Sequence, residues 1–311
     1  MLDSQGFEPP TEEALVVSET ADPAPLRIAD LPHGLHLGIR AEVYYERALG
    51  VANASGLKMI ATSTLAHFKA FMDGEQEDEA EEDGEEEENA ALAFGTAFHC
   101  AVLEPAVFES SYVVEPKFGD CRKKENKAAR DAWRAENGSK KQLSQASMRK
   151  ILRMAASIRN HPVAGPLLER AHHEATLRWR DEMSGLECKA RVDSVVEFGD
   201  KLLALDLKTT NDASPAGFAK SLANYGYAAQ DAFYTDGFEA IGRPLHLFLF
   251  VAVEKTAPYL CAVYQVDGPS RAKGRATNRE ALRAYRDALE EDRWPGYSED
   301  IETISLPKWA L

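Results

Sequence analysis

The chain has 311 residues, 44% hydrophobic and 28% charged, a composition too apolar for a wholly disordered or fibrous protein. It contains no apolar run of the roughly 18 to 20 residues that a membrane-crossing helix needs, and its acidic, proline-containing start lacks a basic-then-apolar leader, so a cytoplasmic protein is expected. The net charge of −15 would oppose nucleic acid if it were evenly spread, but residues 1–90 carry −16 and residues 91–311 carry +1.

Residues 1–30 mix Pro, Glu, Asp and Ala without a period and read as a disordered acidic arm. The first element expected is a short helix with capping hydroxyls at Thr62-Ser63-Thr64 and an apolar face through Leu65, Phe68 and Met72. Residues 73–90 read as a disordered insertion, because eleven of the fourteen residues from Glu75 to Glu88 are acidic. An Ala/Phe/Leu-rich helix then runs from Ala91 to Leu103 and stops at Glu104-Pro105. Residues 117–159 hold 13 basic and 4 acidic side chains, over two helices divided at Asn137-Gly138. Such a run suits either a solvated surface or phosphate binding.

From Glu174 the pattern becomes strand: Ala175 to Trp179, Cys188 to Phe198 and Leu202 to Leu207, with Gly-containing turns between them, fit three consecutive antiparallel strands. Helices follow at Pro215 to Leu222 and Ala228 to Ile241, strands at Leu245 to Val253 and Tyr259 to Val266, and a charged helix from Pro269 to Glu291. Helices before, within and after a mixed sheet define an α/β (α+β) core. Residues 31–300 are expected to form one domain, followed by a tail at 301–311.

The strand ending Leu205-Asp206-Leu207-Lys208 is apolar until two charges leave it on one face. A structural ion pair accounts for that, and so does a site that binds something charged. On the preceding strand Cys188, Ala190, Val192, Ser194 and Val196 form one stripe, and Lys189, Arg191 and Asp193 the other. Asp193 can therefore face Asp206 across a hairpin, where two carboxylates are stabilised by a proton or a hard divalent cation. Gly95 and His99 lie one helical turn apart, so the helix is expected to approach the sheet closely at Gly95 and offer an imidazole, although a lone helix histidine is usually structural. Gln230 and Tyr234 share a helix face, where core packing would serve equally well for Tyr234.

Together, Gly95-x-x-x-His99, Asp193, Asp206-x-Lys208 and Gln230-x-x-x-Tyr234 resemble the RecB-like branch of the PD-(D/E)XK nuclease superfamily. The strings Leu103-Glu104-Pro105, Cys188 to Asp193, Asp206 to Thr210 and Tyr227 to Tyr234 are similar to the RecE (exonuclease VIII) family in particular. The resemblance spans about His33 to Trp294, and departs from the superfamily signature at Val192, where a proline is usual.

That resemblance implies a restriction-endonuclease-like core. It implies a Mg²⁺ held by His99, Asp193, Asp206 and the Leu207 carbonyl, with Mn²⁺ as a substitute. Lys208 then serves the attacking water, Gln230 and Tyr234 support the DNA backbone or the site geometry, and Glu174 is an orienting acid. No iron–sulfur cluster is expected, because Cys100, Cys121, Cys188 and Cys261 contain no CxxC pair. The implied activity is 5′→3′ degradation of double-stranded DNA from its ends by a tetrameric ring of a bacterial or phage-encoded protein, leaving 3′ tails for a RecT-like annealing partner. A structure-specific or single-strand nuclease is the alternative enzyme. A catalytically silent DNA-binding protein of the same fold is the alternative outside enzymes.

Overall fold

The computed structural model describes residues 26–75, 83–120, 122–298 and 300–306, with side chains described from residue 90 onward in the helix that begins at Asp83. A 3₁₀ turn at Ile28–Asp30 leads into β1 (Gly34–His36), α1 (Ala41–Tyr45), β2 (Val51–Ala52), α2 (Ala54–Thr62) and α3 (Leu65–Asp73). Next come α4 (Asp83–Leu103), α5 (Pro105–Ser111), β3 (Tyr112–Val113), α6 (Lys124–Asn137), β4 (Lys141–Gln142), α7 (Gln145–Arg159) and α8 (Ala164–Glu169). The remainder is β5 (His172–Arg180), β6 (Glu187–Phe198), β7 (Lys201–Thr210), α9 (Pro215–Tyr225), α10 (Tyr227–Ala240), β8 (Leu247–Glu254), β9 (Cys261–Tyr264) and α11 (Gly268–Glu291).

The main sheet has the order β1-β5-β6-β7-β8-β9, with β2 pairing alongside β6, and is mixed. Strands β5, β6 and β7 are antiparallel neighbours, β8 joins β7 in parallel through the α9–α10 crossover, and β9 returns antiparallel. One core cluster lies between the sheet and helices α2, α3, α9, α10 and α11, and includes Trp179, Ala190, Phe233, Phe250 and Tyr285. A second cluster lies between the other face and helices α4, α5, α7 and α8, and includes Phe98, Met154, Leu205, Leu207 and Val251. This three-layer arrangement satisfies the all-apolar run of β7, which is covered on both sides. No described helix is long and apolar enough to cross a membrane.

Several expectations need correction. Helix α4 begins at Asp83, so the second half of the acidic run is helical, while residues 76–82 lie outside the described residues. The arm expected over residues 1–30 is described only from residue 26, and Ile28 there is fully buried in a third cluster with Leu31, Ala48 and Val51. The short elements β1, α1, β2 and α2 precede the first helix foreseen. At the other end residues 301–306 carry no helix or strand, and 307–311 lie outside the described residues.

The apolar stripe on β6 also does not continue along one face. Cys188, Ala190 and Val192 belong to the first cluster, but so does Val195, whereas Val196 belongs to the second. The alternation reverses between Val192 and Val195. On the neighbouring strand β5, Glu174 adopts a left-handed backbone conformation with φ of +54°. Its register position opposite Asp193 falls between the His173–Ser194 and Ala175–Val192 pairs. A non-glycine residue in that region is uncommon, and here it falls where the two strands turn their faces over.

Candidate active site

The reversal matters because Asp193 lies within it. Regular β6–β7 pairing starts at Ser194–Leu205, and the next rung would be Asp193 with Asp206. At that level an Asp193 carboxylate oxygen takes the place of a ladder acceptor, receiving the Leu207 amide at 2.7 Å. Glu174, Asp193 and Asp206 thus occupy one level across three adjacent strands.

Asp206 is 2% exposed. Its Oδ1 accepts a hydrogen bond from Gln230 Nε2 at 2.5 Å, and its Oδ2 lies 2.5 Å from the Lys208 ammonium. That buried Oδ2 has no hydrogen bond of good geometry, which leaves it with unused acceptor capacity. Lys208 also sits over the ring of Tyr227, 4.7 Å from its centroid. Burial works to lower the lysine's pKa, but Asp206 and Asp193 outweigh it, so the net shift is upward and the ammonium is held protonated.

Burial, reinforced by the charge of Asp206, raises the pKa of Asp193 well above the ordinary carboxylate value. The imidazole of His99, reached from α4, lies 3.5 Å from Asp193 Oδ2 through Nδ1. Desolvation and then the Lys208 charge lower its pKa, which favours the neutral, ligand-competent ring. His99 neighbours Asp193, and Asp193 faces Asp206 across the strands, but among the described residues no three such side chains are grouped closely enough to hold a metal ion as they stand. Two facing carboxylates, a buried oxygen without a hydrogen bond and a neutral imidazole are donors of the kind a hard divalent cation takes, and His99, Asp193, Asp206 and the Leu207 carbonyl are the groups that would close on one.

Other elements set the register of these groups. Helix α10 is seated tightly on both sides. A Cβ at Gly237 would come within 3.0 Å of Leu177 and Trp179 side-chain atoms, and a Cβ at Gly274 of α11 would fall on the Ala228 backbone. Asn278 of α11 adds a 2.7 Å hydrogen bond to the Ala229 carbonyl. These contacts fix the turn of α10 that carries Gln230.

Gly95 behaves differently from the expectation. A Cβ there would meet nothing within 4 Å, so the helix is seated by the buried Ala97 and Phe98 instead, and the space one turn before His99 stays open.

Tyr234 does not face the open part of the site. It is 6% exposed, and its hydroxyl donates to the Arg191 carbonyl at 3.1 Å, bracing β6. Glu174 is engaged by the Arg191 guanidinium, whose Nη1 also donates to the Ile39 carbonyl at 3.0 Å. Lys189 and Arg191 were read from the sequence only as the face of β6 that carries Asp193, and Tyr44 was not singled out. The signal for the two basic residues was the charged face of β6, which a solvated edge would have explained, and Tyr44 on α1 carried none.

The basic region touches the helix that carries His99. Helix α7 buries Ile151, Met154, Ala155 and Ile158 and turns the exposed Arg149 and Arg153 outward. Lys150 of the same helix lies over Phe94 of α4, 5.2 Å from the ring centroid. Helix α6 buries no residue at all.

A mixed sheet that delivers an aspartate from one strand and Asp-x-Lys from the next defines the PD-(D/E)XK class of nuclease folds. Residues 64–307 match the family described as PDDEXK-like domain of unknown function (DUF3799), and the chain belongs to that family. No curated protein matches it. Among solved structures it is similar to a proposed exonuclease from Eubacterium rectale, at 14% identity and TM-score 0.51 over 86% of this chain and 97% of that one. The structure named SSO0001 aligns at 13% identity over 60% of this chain and 84% of that one, with a TM-score of only 0.27. Likeness at these identities concerns the fold.

Proposed function

We propose that the protein is a Mg²⁺-dependent exodeoxyribonuclease that hydrolyses duplex DNA from its ends in the 5′→3′ direction, leaving 3′ single-stranded tails. One observation carries the reading: the half-buried carboxylate of Asp193 and the buried one of Asp206 face each other at one level of adjacent strands, with the Lys208 ammonium 2.5 Å from the second. A purely structural ion pair needs one carboxylate and one ammonium. The additional acid, raised toward its protonated form, is costly unless a cation or proton joins it.

A divalent ion held by Asp193, Asp206, His99 and the Leu207 carbonyl would polarise the scissile phosphate and acidify the attacking water. Lys208, kept as an ammonium, orients that water and balances charge developing on the phosphoryl oxygens. Gln230 fixes the rotation of the Asp206 carboxylate. Tyr234 acts one step back by holding the Arg191 carbonyl, and Arg191 in turn orients Glu174. Arg149, Lys150 and Arg153 offer the phosphate contacts that sequence-independent binding uses. The resemblance to the RecE family extends the proposal to a tetrameric ring around the duplex and to a RecT-like protein that receives the 3′ tail.

The test is a time course on linear and covalently closed duplexes, with Mg²⁺ or chelator, using strands labelled at either end. Loss of the 5′ label first, from the linear form and only with Mg²⁺, is the expected result. Nicking of the closed circle would point to an endonuclease, and digestion in chelator would remove the metal from the account.

A further inference from the structure

Tyr45 is 70% exposed, and an isolated exposed aromatic is ordinary in itself. What surrounds it is not. The ammonium of Lys189, on a residue only 4% exposed, donates to the carbonyls of Tyr44 at 2.6 Å and Glu46 at 2.8 Å, the two residues flanking Tyr45. Burying a lysine against backbone carbonyls is costly, and burial pushes its pKa down to about 8. Arg191 secures the same segment through the Ile39 carbonyl and lies over the Tyr44 ring, 5.7 Å from its centroid. Helix α1 has five residues and no side-chain cap, too little to hold itself in place. It is bolted instead to the face of β6 that carries Lys189, Arg191 and, two residues on, Asp193.

The result is an aromatic ring fixed in position and left in water. Tyr44 packs beneath it edge-on, with ring centroids 5.1 Å apart. The segment that carries it reaches the site through Arg191, which holds the Ile39 carbonyl and also engages Glu174, the residue opposite Asp193 on the neighbouring strand.

We propose that Tyr45 is a base-stacking residue at the entrance to the active site, receiving an unpaired nucleobase of the strand whose phosphate lies against Asp193 and Asp206. The proposal rests on the nuclease reading. An aromatic face recognises any base through its π-surface, which fits a site that must accept every sequence in turn. A base inside a duplex is stacked on both faces and a terminal paired base on one, so a ring that receives an unpaired base favours a frayed or single-stranded end.

The full-length protein is tested as wild type, Tyr45→Ala and Tyr45→Phe on linear duplexes carrying 2-aminopurine at the terminal base. For Tyr45→Ala, KM for end digestion is expected to rise about 5- to 100-fold with kcat within about twofold, and the quenching of 2-aminopurine on binding is lost. Tyr45→Phe keeps wild-type values for both. Unchanged KM and quenching in a folded Tyr45→Ala, or a defect not rescued by phenylalanine, overturns the stacking role. If wild type releases no nucleotide, the nuclease reading fails. The quenching signal, which needs only binding, then still decides for or against stacking.

Discussion

An oxygen of the Asp193 side chain accepts the backbone amide of Leu207 at 2.7 Å, so one carboxylate of the site is tied to the peptide between the other carboxylate and the lysine. The tie replaces a missing ladder bond at the point where β6 changes face. Two strands are thereby held at a separation set by a side chain, and the groups they carry cannot drift apart without losing a partly buried hydrogen bond.

Lys208 is the partner of a nearly inaccessible carboxylate, which links catalysis to stability. Lys208→Met is expected to destabilise the fold by about 3–5 kcal/mol, because it leaves Asp206 buried and uncompensated. It should also lower turnover by about 10²- to 10³-fold. Chemical denaturation and single-turnover digestion measure the two effects. The double variant Lys208→Met/Asp206→Leu should recover most of the stability and none of the activity.

The raised pKa of Asp193 predicts a pH-dependent response to metal. For an acid whose folded pKa lies above its unfolded value, the native state binds more protons between those values. Metal-free stability therefore falls as pH rises from about the unfolded value of 3.8 through the folded one. Mg²⁺ or Mn²⁺ reverses that loss by pairing the carboxylate. The rise in Tm on adding the ion should be larger at pH 8 than at pH 5, and should shrink at both in Asp193→Asn. A shift independent of pH would show that the ion binds elsewhere.

Gly95 offers a separation of folding from substrate contact. Since a Cβ there meets nothing, Gly95→Ala should fold normally and gain up to about 1 kcal/mol from helix propensity. If DNA occupies the open space beside His99, KM rises while the melting temperature does not fall. Thermal melting and end-digestion kinetics on the same preparation check this.

The close approach of α11 to α10 predicts the converse. Gly274→Ala places a Cβ on the Ala228 backbone, so α10 must shift, at a cost of about 1–3 kcal/mol, and Gln230 moves relative to Asp206. Gln230→Ala should reduce activity without that stability loss. Equal stability losses in both variants would mean that the amide, rather than helix seating, supports the fold.

The part of the fold that was readable is the part where one strong local signal meets one tertiary role. Strand β7 is apolar from Leu202 to Leu205 because both faces are covered, and the Asp206-Leu207-Lys208 that follows within the strand is what drew attention to the candidate site. Strands β5 and β6 and helices α9 to α11 carried equally regular patterns. The segment around α1, β2 and α2 was not readable, because its order comes from Lys189 and Arg191, distant in sequence, gripping backbone carbonyls that any residue could supply. The face reversal at Asp193 was also hidden. It depends on the left-handed Glu174 across the strand, and a glutamate carries no sign of that conformation. At Gly95 the residue type suggested close packing, whereas the structure keeps the space empty.

The central claim is that Asp193 and Asp206, with His99 beside them, form one cation site, and calorimetric titration of Mn²⁺ into the full-length protein tests it most directly. The account predicts a single saturable site in wild type that disappears in Asp206→Asn and in Asp193→Asn, with both variants still folded by circular dichroism. Undiminished one-to-one uptake by either folded variant would contradict it.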